Sequence, residues 1–216
     1  MTISNQARER VKAIFEPIAL AFGRMGLTPD ALTIIGFGIT GVGAALLALQ
    51  YWTLGGVVVF IGGVFDMFDG TLARATGKVS RLGAFMDSVF DRWGESIVYL
   101  GIVVGGVLAG HQRVPILAAA AMGAAFMVSY ARAKSEGLGF TPGRGMAAVG
   151  LMPREVRLVI LTIGLLLTDA PDIKGTEFAL AIIAVGATIT TFQRIFHVRA
   201  QATREASSLP TEQEQT

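Results

Sequence analysis

The sequence predicts an all-α integral membrane bundle of six transmembrane helices, with an amphipathic N-terminal helix lying at the membrane interface. Three observations carry that expectation. Of 216 residues, 52% are hydrophobic and 16% charged, with 27 glycines, a balance of chains that face lipid rather than water. Several windows between Ala31 and Phe196 approach the about 20 mostly apolar residues that a spanning helix requires. Six crossings also place 16 of the 18 Lys and Arg residues on one side, leaving Arg113 and Lys174 opposite.

Each element has its own justification. From about Ser4 to Arg24, Arg8, Arg10 and Lys12 interleave with Val11, Ile14, Phe15, Ile18 and Phe22 at helical spacing, as in a helix lying in the interface. The turn Leu27-Thr28-Pro29-Asp30 opens a first span at about Ala31 to Gln50. The second is expected at about Leu54 to Phe68, the third at Ala84 to Ala109 and the fourth at Val114 to Arg132. A fifth follows at about Val156 to Leu167 and a sixth at Glu177 to Phe196, the second and fifth being short for a full crossing. The first span begins too far from Met1 to be a cleavable signal peptide. A membrane domain over residues 1–204 and a disordered polar tail over 205–216 complete the expected organisation.

The basic side is the cytoplasmic one, so both termini and the loop after the second span are expected there. Basic residues distributed as topology requires give no support for nucleic-acid binding. There is no cysteine, which excludes disulfides and thiolate metal sites. His111 and His197 fall in a loop and near a helix end, where they are incidental. Glycine-rich stretches inside apolar helices are read as close packing surfaces rather than phosphate loops.

The segment from Phe65 to Arg92 places four aspartates beside the most apolar sequence of the chain. On a helix, Asp66 and Asp69 lie about 60° apart and Asp87 and Asp91 about 40° apart, so each pair faces one way. A short link of small and basic residues lets the two helices run antiparallel with their carboxylates together. Four carboxylates in one half-buried place repel one another unless cations compensate them. Oxygen-only ligands select hard divalent ions, two Mg²⁺ with Mn²⁺ as a substitute, in an arrangement that clamps phosphate oxygens. Gly70 lets a ligand approach the backbone, Ala73 keeps the helix face small, and Arg74 supplies a cationic fork suited to phosphate.

The pattern Asp66-x-x-Asp69-Gly70-x-x-Ala73-Arg74, followed after eight residues by Gly83-x-x-x-Asp87-x-x-x-Asp91, resembles the signature of the CDP-alcohol phosphotransferases. These are integral membrane enzymes of phospholipid synthesis. The resemblance implies that Asp66, Asp69, Asp87 and Asp91 bind two divalent metals and that Asp91 is also the base that deprotonates the acceptor hydroxyl. It implies contacts to the CDP-lipid from Asp30, Thr33, Gly70, Ala73, Arg74, Ser80 and Gly83; Asp30 stands where the family usually has Asn. The implied chemistry is attack by an alcohol on the β-phosphorus of CDP-diacylglycerol with release of CMP. With no Ser, Cys or His placed as a nucleophile near the motif, direct displacement is the more economical route. Family members are typically homodimers in the lipid bilayer.

The third span opens LGAFMDSVFDRWGES, and with SYARAKSEGLG and VGLMPREVRLV this looks like the branch that uses inositol phosphate. Lys134, Arg154 and Arg194, at the cytoplasmic ends of different spans, are the candidates for the acceptor's phosphate, with Arg157 as fallback for Arg154. A phosphatidylglycerol phosphate synthase or another CDP-alcohol phosphotransferase is the alternative enzyme. A cation or proton transporter and a purely structural membrane protein are the non-enzyme alternatives. No second acidic segment suggests an inverted repeat, and no acid is expected in the middle of a span.

Overall fold

A computed structural model describes residues 15–140, 146, 149–168 and 173–208, and every regular element among them is helical. Helix α1 covers residues 15–24; positions 4–14 of the expected interfacial helix lie outside the described residues. Then follow α2 (Pro29–Ala48), α3 (Trp52–Phe65), α4 (Met67–Ala75), α5 (Arg81–Leu108), α6 (Arg113–Gly137), α7 (Arg154–Leu166) and α8 (Lys174–Ser208).

Local chemistry explains the starts of the helices that carry the acidic motif and its entry turn. Thr28 accepts from the Ala31 N–H at 3.2 Å with Pro29 in the first turn, and Ser80 accepts from the Gly83 N–H at 2.9 Å. Both are side-chain caps of otherwise orphaned amide donors. Asp66 interrupts the second apolar segment, capping the end of α3 and the start of α4. Helix α8 runs on past Arg204 because Ala200, Ala202, Arg204 and Glu205 are good helix formers, so the expected tail begins as helix; residues 209–216 lie outside the described residues.

The helices close into a ring. Helix α2 packs between α3 and α5, α5 continues to α6, α6 to α8, α8 to α7, and α7 returns to α3. The ring's core holds Leu47, Val98, Tyr99, Ile102, Leu165, Leu180 and Ile183. Small residues permit the closest approaches: a Cβ on Gly101 would overlap the Ala44 carbonyl, and one on Gly43 would stand 2.9 Å from the Val59 amide. Apolar side chains such as Val42, Ile61, Leu100, Ile116, Phe178 and Val185 point outward.

Helix α1 uses its apolar face on the protein. Phe15 meets Phe68 at 5.1 Å between ring centroids, Phe22 meets Phe65 at 5.4 Å, and Ala19 is fully buried beside Leu32 and Leu72. Ile18 remains exposed.

Among the described residues, four helical stretches are long and apolar enough to cross a membrane: Pro29–Ala48, Trp52–Ala75, Arg113–Gly137 and Lys174–Glu205. The other two expected spans differ for separate reasons. Helix α5 has 28 residues, but the stretch up to its middle carries Asp87, Asp91, Arg92 and Glu95. Helix α7 has 13 residues, about 20 Å of helix at 1.5 Å per residue, against a hydrocarbon core of about 30 Å.

Candidate active site

The acidic site lies where the α3–α4 junction meets the first turns of α5. Asp66 is the junction residue, Asp69 sits in the first turn of α4 near the positive end of its dipole, and Asp87 and Asp91 stand one turn apart on α5. Asp69 is only 5% exposed; its Oδ2 accepts from the Thr33 hydroxyl at 2.5 Å and its Oδ1 from the Gly70 amide. Asp66, Asp69 and Asp87 each offer one oxygen within 4.8 Å of the others. Such an oxygen-only trio matches the donor chemistry of a hard divalent ion.

Asp91 stands apart from the trio. Its Oδ2 accepts from Arg92 at 2.8 Å, while Arg154 Nη1 bridges Asp66 Oδ2 at 2.8 Å and Asp91 Oδ1 at 2.5 Å. Among the described residues that buried oxygen accepts no hydrogen bond, and the Arg154 contact to it is an ion pair. Guanidinium stays charged in any surroundings, which makes Arg154 a fixed counter-charge to both carboxylates.

A cavity of about 240 Å³ opens between α2, α4 and the start of α5. All seven residues expected to contact the CDP-lipid line it: Asp30, Thr33, Gly70, Ala73, Arg74, Ser80 and Gly83, with Asp69 and Asp87 at its acidic edge. The glycines matter sterically. A Cβ on Gly70 would lie 3.2 Å from the Arg74 guanidinium, and one on Gly83 would lie 3.0 Å from Ser80 Oγ.

Asp87 also faces a second, larger cavity of about 710 Å³ between α5 and α6, which it shares with Asp91, Arg92, Arg132 and Tyr130. The three expected acceptor-phosphate residues do not converge here. Lys134 is exposed on α6, and Arg132, two residues earlier, lines the cavity instead with Glu136 as its 2.9 Å partner. Arg194 is buried and donates to the carbonyls of Val149 at 3.0 Å and Val128 at 2.5 Å. Arg154 is on the aspartates. Arg157, its fallback, is 1% exposed and forks onto Glu95 through two bonds of 2.7 Å.

Glu95 is the residue that sequence reasoning passed over. It lies well inside the expected third span, where no acid had been expected; four residues after Asp91, it continues the acidic face of α5. That i, i+4 spacing was the available signal.

The model of the CDP-alcohol phosphatidyltransferase family matches residues 26–193, most of the chain. The chain belongs to that family. As a CDP-alcohol phosphatidyltransferase with several apolar helices, it is a multi-pass membrane enzyme of phospholipid synthesis. It is 33% identical over 195 residues to the archaetidylinositol phosphate synthase of Pyrococcus horikoshii, covering 90% of this chain and 96% of that one. It is 31% identical over 198 residues to the phosphatidylinositol phosphate synthase of Mycobacteroides abscessus, covering 89% of this chain and 87% of that one. The crystal structure of the Mycobacterium tuberculosis phosphatidylinositol phosphate synthase with CDP-DAG bound superposes with a TM-score of 0.76 at 31% identity, over 86% of this chain and 94% of that one. The same enzyme in complex with manganese and citrate gives 0.75 at 31% identity, over 86% and 88% of the two chains.

Proposed function

We propose that this CDP-alcohol phosphatidyltransferase moves the phosphatidyl group of CDP-diacylglycerol to inositol phosphate, giving phosphatidylinositol phosphate and CMP by direct displacement. The observation that carries this reading is the meeting of Asp66 at the α3–α4 junction, Asp69 on α4 and Asp87 on α5, the last two at the rim of one cavity lined by every expected donor contact. The names of the inositol phosphate synthases among its relatives support the choice of acceptor.

Asp66, Asp69 and Asp87, with Asp91 beside them, are the residues that would hold two Mg²⁺ ions, or Mn²⁺ in their place. When bound, the metal supplies charge compensation for the diphosphate and the departing CMP. The rest of the mechanism is the work of this chain's side chains. Arg74 and the backbone at Gly70 bind the donor's phosphates, with Asp30, Thr33, Ala73, Ser80 and Gly83 shaping the nucleotide cavity. Asp91 Oδ1, buried without a hydrogen bond, takes the proton of the acceptor hydroxyl as its oxygen forms a bond to the β-phosphorus and the bond to CMP breaks. Of the three expected acceptor-phosphate residues, Arg154, beside Asp91, is the one that binds the acceptor's phosphate, while Lys134 is exposed on α6 and Arg194 is held by backbone carbonyls. The reading includes six spans with α5 and α7 crossing in the company of the other helices, a membrane domain over residues 1–204, both termini and the active site cytoplasmic, and a homodimer.

The test is an acceptor screen with purified protein and CDP-diacylglycerol, comparing inositol phosphate, inositol, glycerol 3-phosphate and serine. CMP release with inositol phosphate, lost in excess EDTA and in Asp66→Asn, Asp69→Asn or Asp87→Asn, is expected. Preferred turnover of glycerol 3-phosphate would refute the acceptor assignment, and full turnover in EDTA would refute the metal assignment.

A further inference from the structure

Helices α5 and α7 are joined by two polar rungs one helical turn apart. In the first, Arg154 bridges Asp66 and Asp91. In the second, Arg157 donates from Nε and Nη2 to the two oxygens of Glu95, each at 2.7 Å. Glu95 follows Asp91 by four residues and Arg157 follows Arg154 by three, so both rungs share the same two helix faces. The third donor of Arg157, Nη1, reaches the Met152 carbonyl at 2.8 Å, just ahead of Pro153.

The segment that launches α7 is also held from the opposite side. The amides of Leu151 and Met152 donate to Thr190 Oγ1 at 3.1 and 3.0 Å, and Arg194 holds the Val149 carbonyl. Arg154 is the first residue of α7, so its reach depends directly on how this segment is tied down. A desolvated ion pair is a poor device for stability alone, because apolar residues of similar volume often do as well. A planar fork does something an apolar contact cannot: it fixes both the rotation and the height of one helix against another.

We propose that Glu95 and Arg157 are a positioning pair that acts through Arg154, setting α7 against α5 so that one guanidinium bridges Asp66 and Asp91. The pair touches neither substrate. It decides how much of the Asp66 charge is shared with Arg154 and therefore how strongly the carboxylate trio binds a cation. This inference rests on the reading of Asp66 as a metal ligand.

The test is a double-mutant cycle on the purified full chain, read as Mn²⁺ affinity from the electron paramagnetic resonance signal of the free ion, with no turnover required. Glu95→Gln is expected to change the Mn²⁺ Kd by about threefold or more in the wild-type background, the lower range of coupling within one ion-pair network. In an Arg154→Ala background the same substitution should leave Kd within about 1.5-fold, as for residues that no longer interact. Arg157→Lys, which keeps the charge but cannot fork, should behave as Glu95→Gln does and replaces it in the cycle if that variant does not fold. Equal shifts in both backgrounds, or none in either, would overturn the proposal, since a general loss of structure or a long-range field from Glu95 does not depend on Arg154. A wild-type chain that binds no Mn²⁺ would overturn the metal reading and this inference with it. Normal wild-type binding with an additive cycle would overturn the inference alone.

Discussion

Thr33→Val separates two roles for one hydroxyl. The family resemblance implies that Thr33 lies beside the nucleotide, and Thr33 lines the cavity between α2, α4 and α5, yet its hydroxyl donates to Asp69 Oδ2 at 2.5 Å. Both residues are 5% exposed, so water cannot easily replace the lost donor. Valine keeps the branched shape, and the Gly70 amide continues to hold the other carboxylate oxygen. A hydrogen bond to a charged group contributes about 1.5–3 kcal/mol, a factor of about 10 to 150 in an equilibrium constant. Loss of such an orienting partner from a metal-binding carboxylate typically costs about 10- to 100-fold in metal affinity or activity. We therefore expect the half-saturating Mn²⁺ concentration for CMP release to rise by about tenfold or more, while Thr33→Ser stays near wild type. The apparent KM for CDP-diacylglycerol, measured at saturating Mn²⁺, should remain within about twofold. An unchanged Mn²⁺ dependence with a raised donor KM would refute the reasoning and make Thr33 a donor contact.

Three other expectations follow from separate parts of the molecule. Arg74→Ala should weaken turnover of every acceptor the enzyme supports, because its guanidinium lies over Gly70 in the cavity proposed for the donor; a defect confined to one acceptor in the screen would contradict this. The chain has no cysteine, so single variants Lys78→Cys and Lys174→Cys report topology cleanly: the first should be labelled by a membrane-impermeant thiol reagent only from the cytoplasmic face and the second only from the outer face, and reversed labelling would overturn the orientation. Gly101→Val should destabilise the detergent-solubilised protein by about 1–3 kcal/mol or more, since its Cβ would overlap the Ala44 carbonyl and backbone has no rotamer to yield; an unchanged unfolding temperature would show that α2 and α5 are not so closely packed.

Much of the catalytic layout is local chemistry, and local chemistry is legible along the chain. Asp66 and Asp69, or Asp87 and Asp91, share a face because of the helix period, whatever surrounds them. Thr28 with Pro29, and Ser80 three residues before Gly83, announce helix starts by the same logic. The residues expected around the donor line one cavity because most of them sit on α4 and the following turn, close in sequence to the aspartates. Membrane character follows from composition alone. The two shortest expected spans were the weak points: Asp66 divides one of them into α3 and α4, and α7 is only 13 residues long.

What the sequence by itself determined is therefore the helical class, the membrane setting, the acidic motif and the set of residues that line the cavity beside it. Tertiary structure alone decided the cationic side. Arg154 reaches Asp66 across 88 positions and Arg157 reaches Glu95 across 62, and such pairings have no period to betray them. Whether Arg132 or Lys134 faces the α5–α6 cavity depends on the rotation of α6, since residues two apart point about 160° away from each other on a helix. The Phe15 and Phe22 face of α1 fits an interface helix equally well until the end of α3 presents Phe65 and the start of α4 presents Phe68 to receive it. Basic residues near helix ends obey the same topological bias whether or not they serve the site, so only the closing of the helix ring assigns Arg154 to the carboxylates, Arg157 to Glu95 and Arg194 to the backbone carbonyls of α6 and the segment before α7.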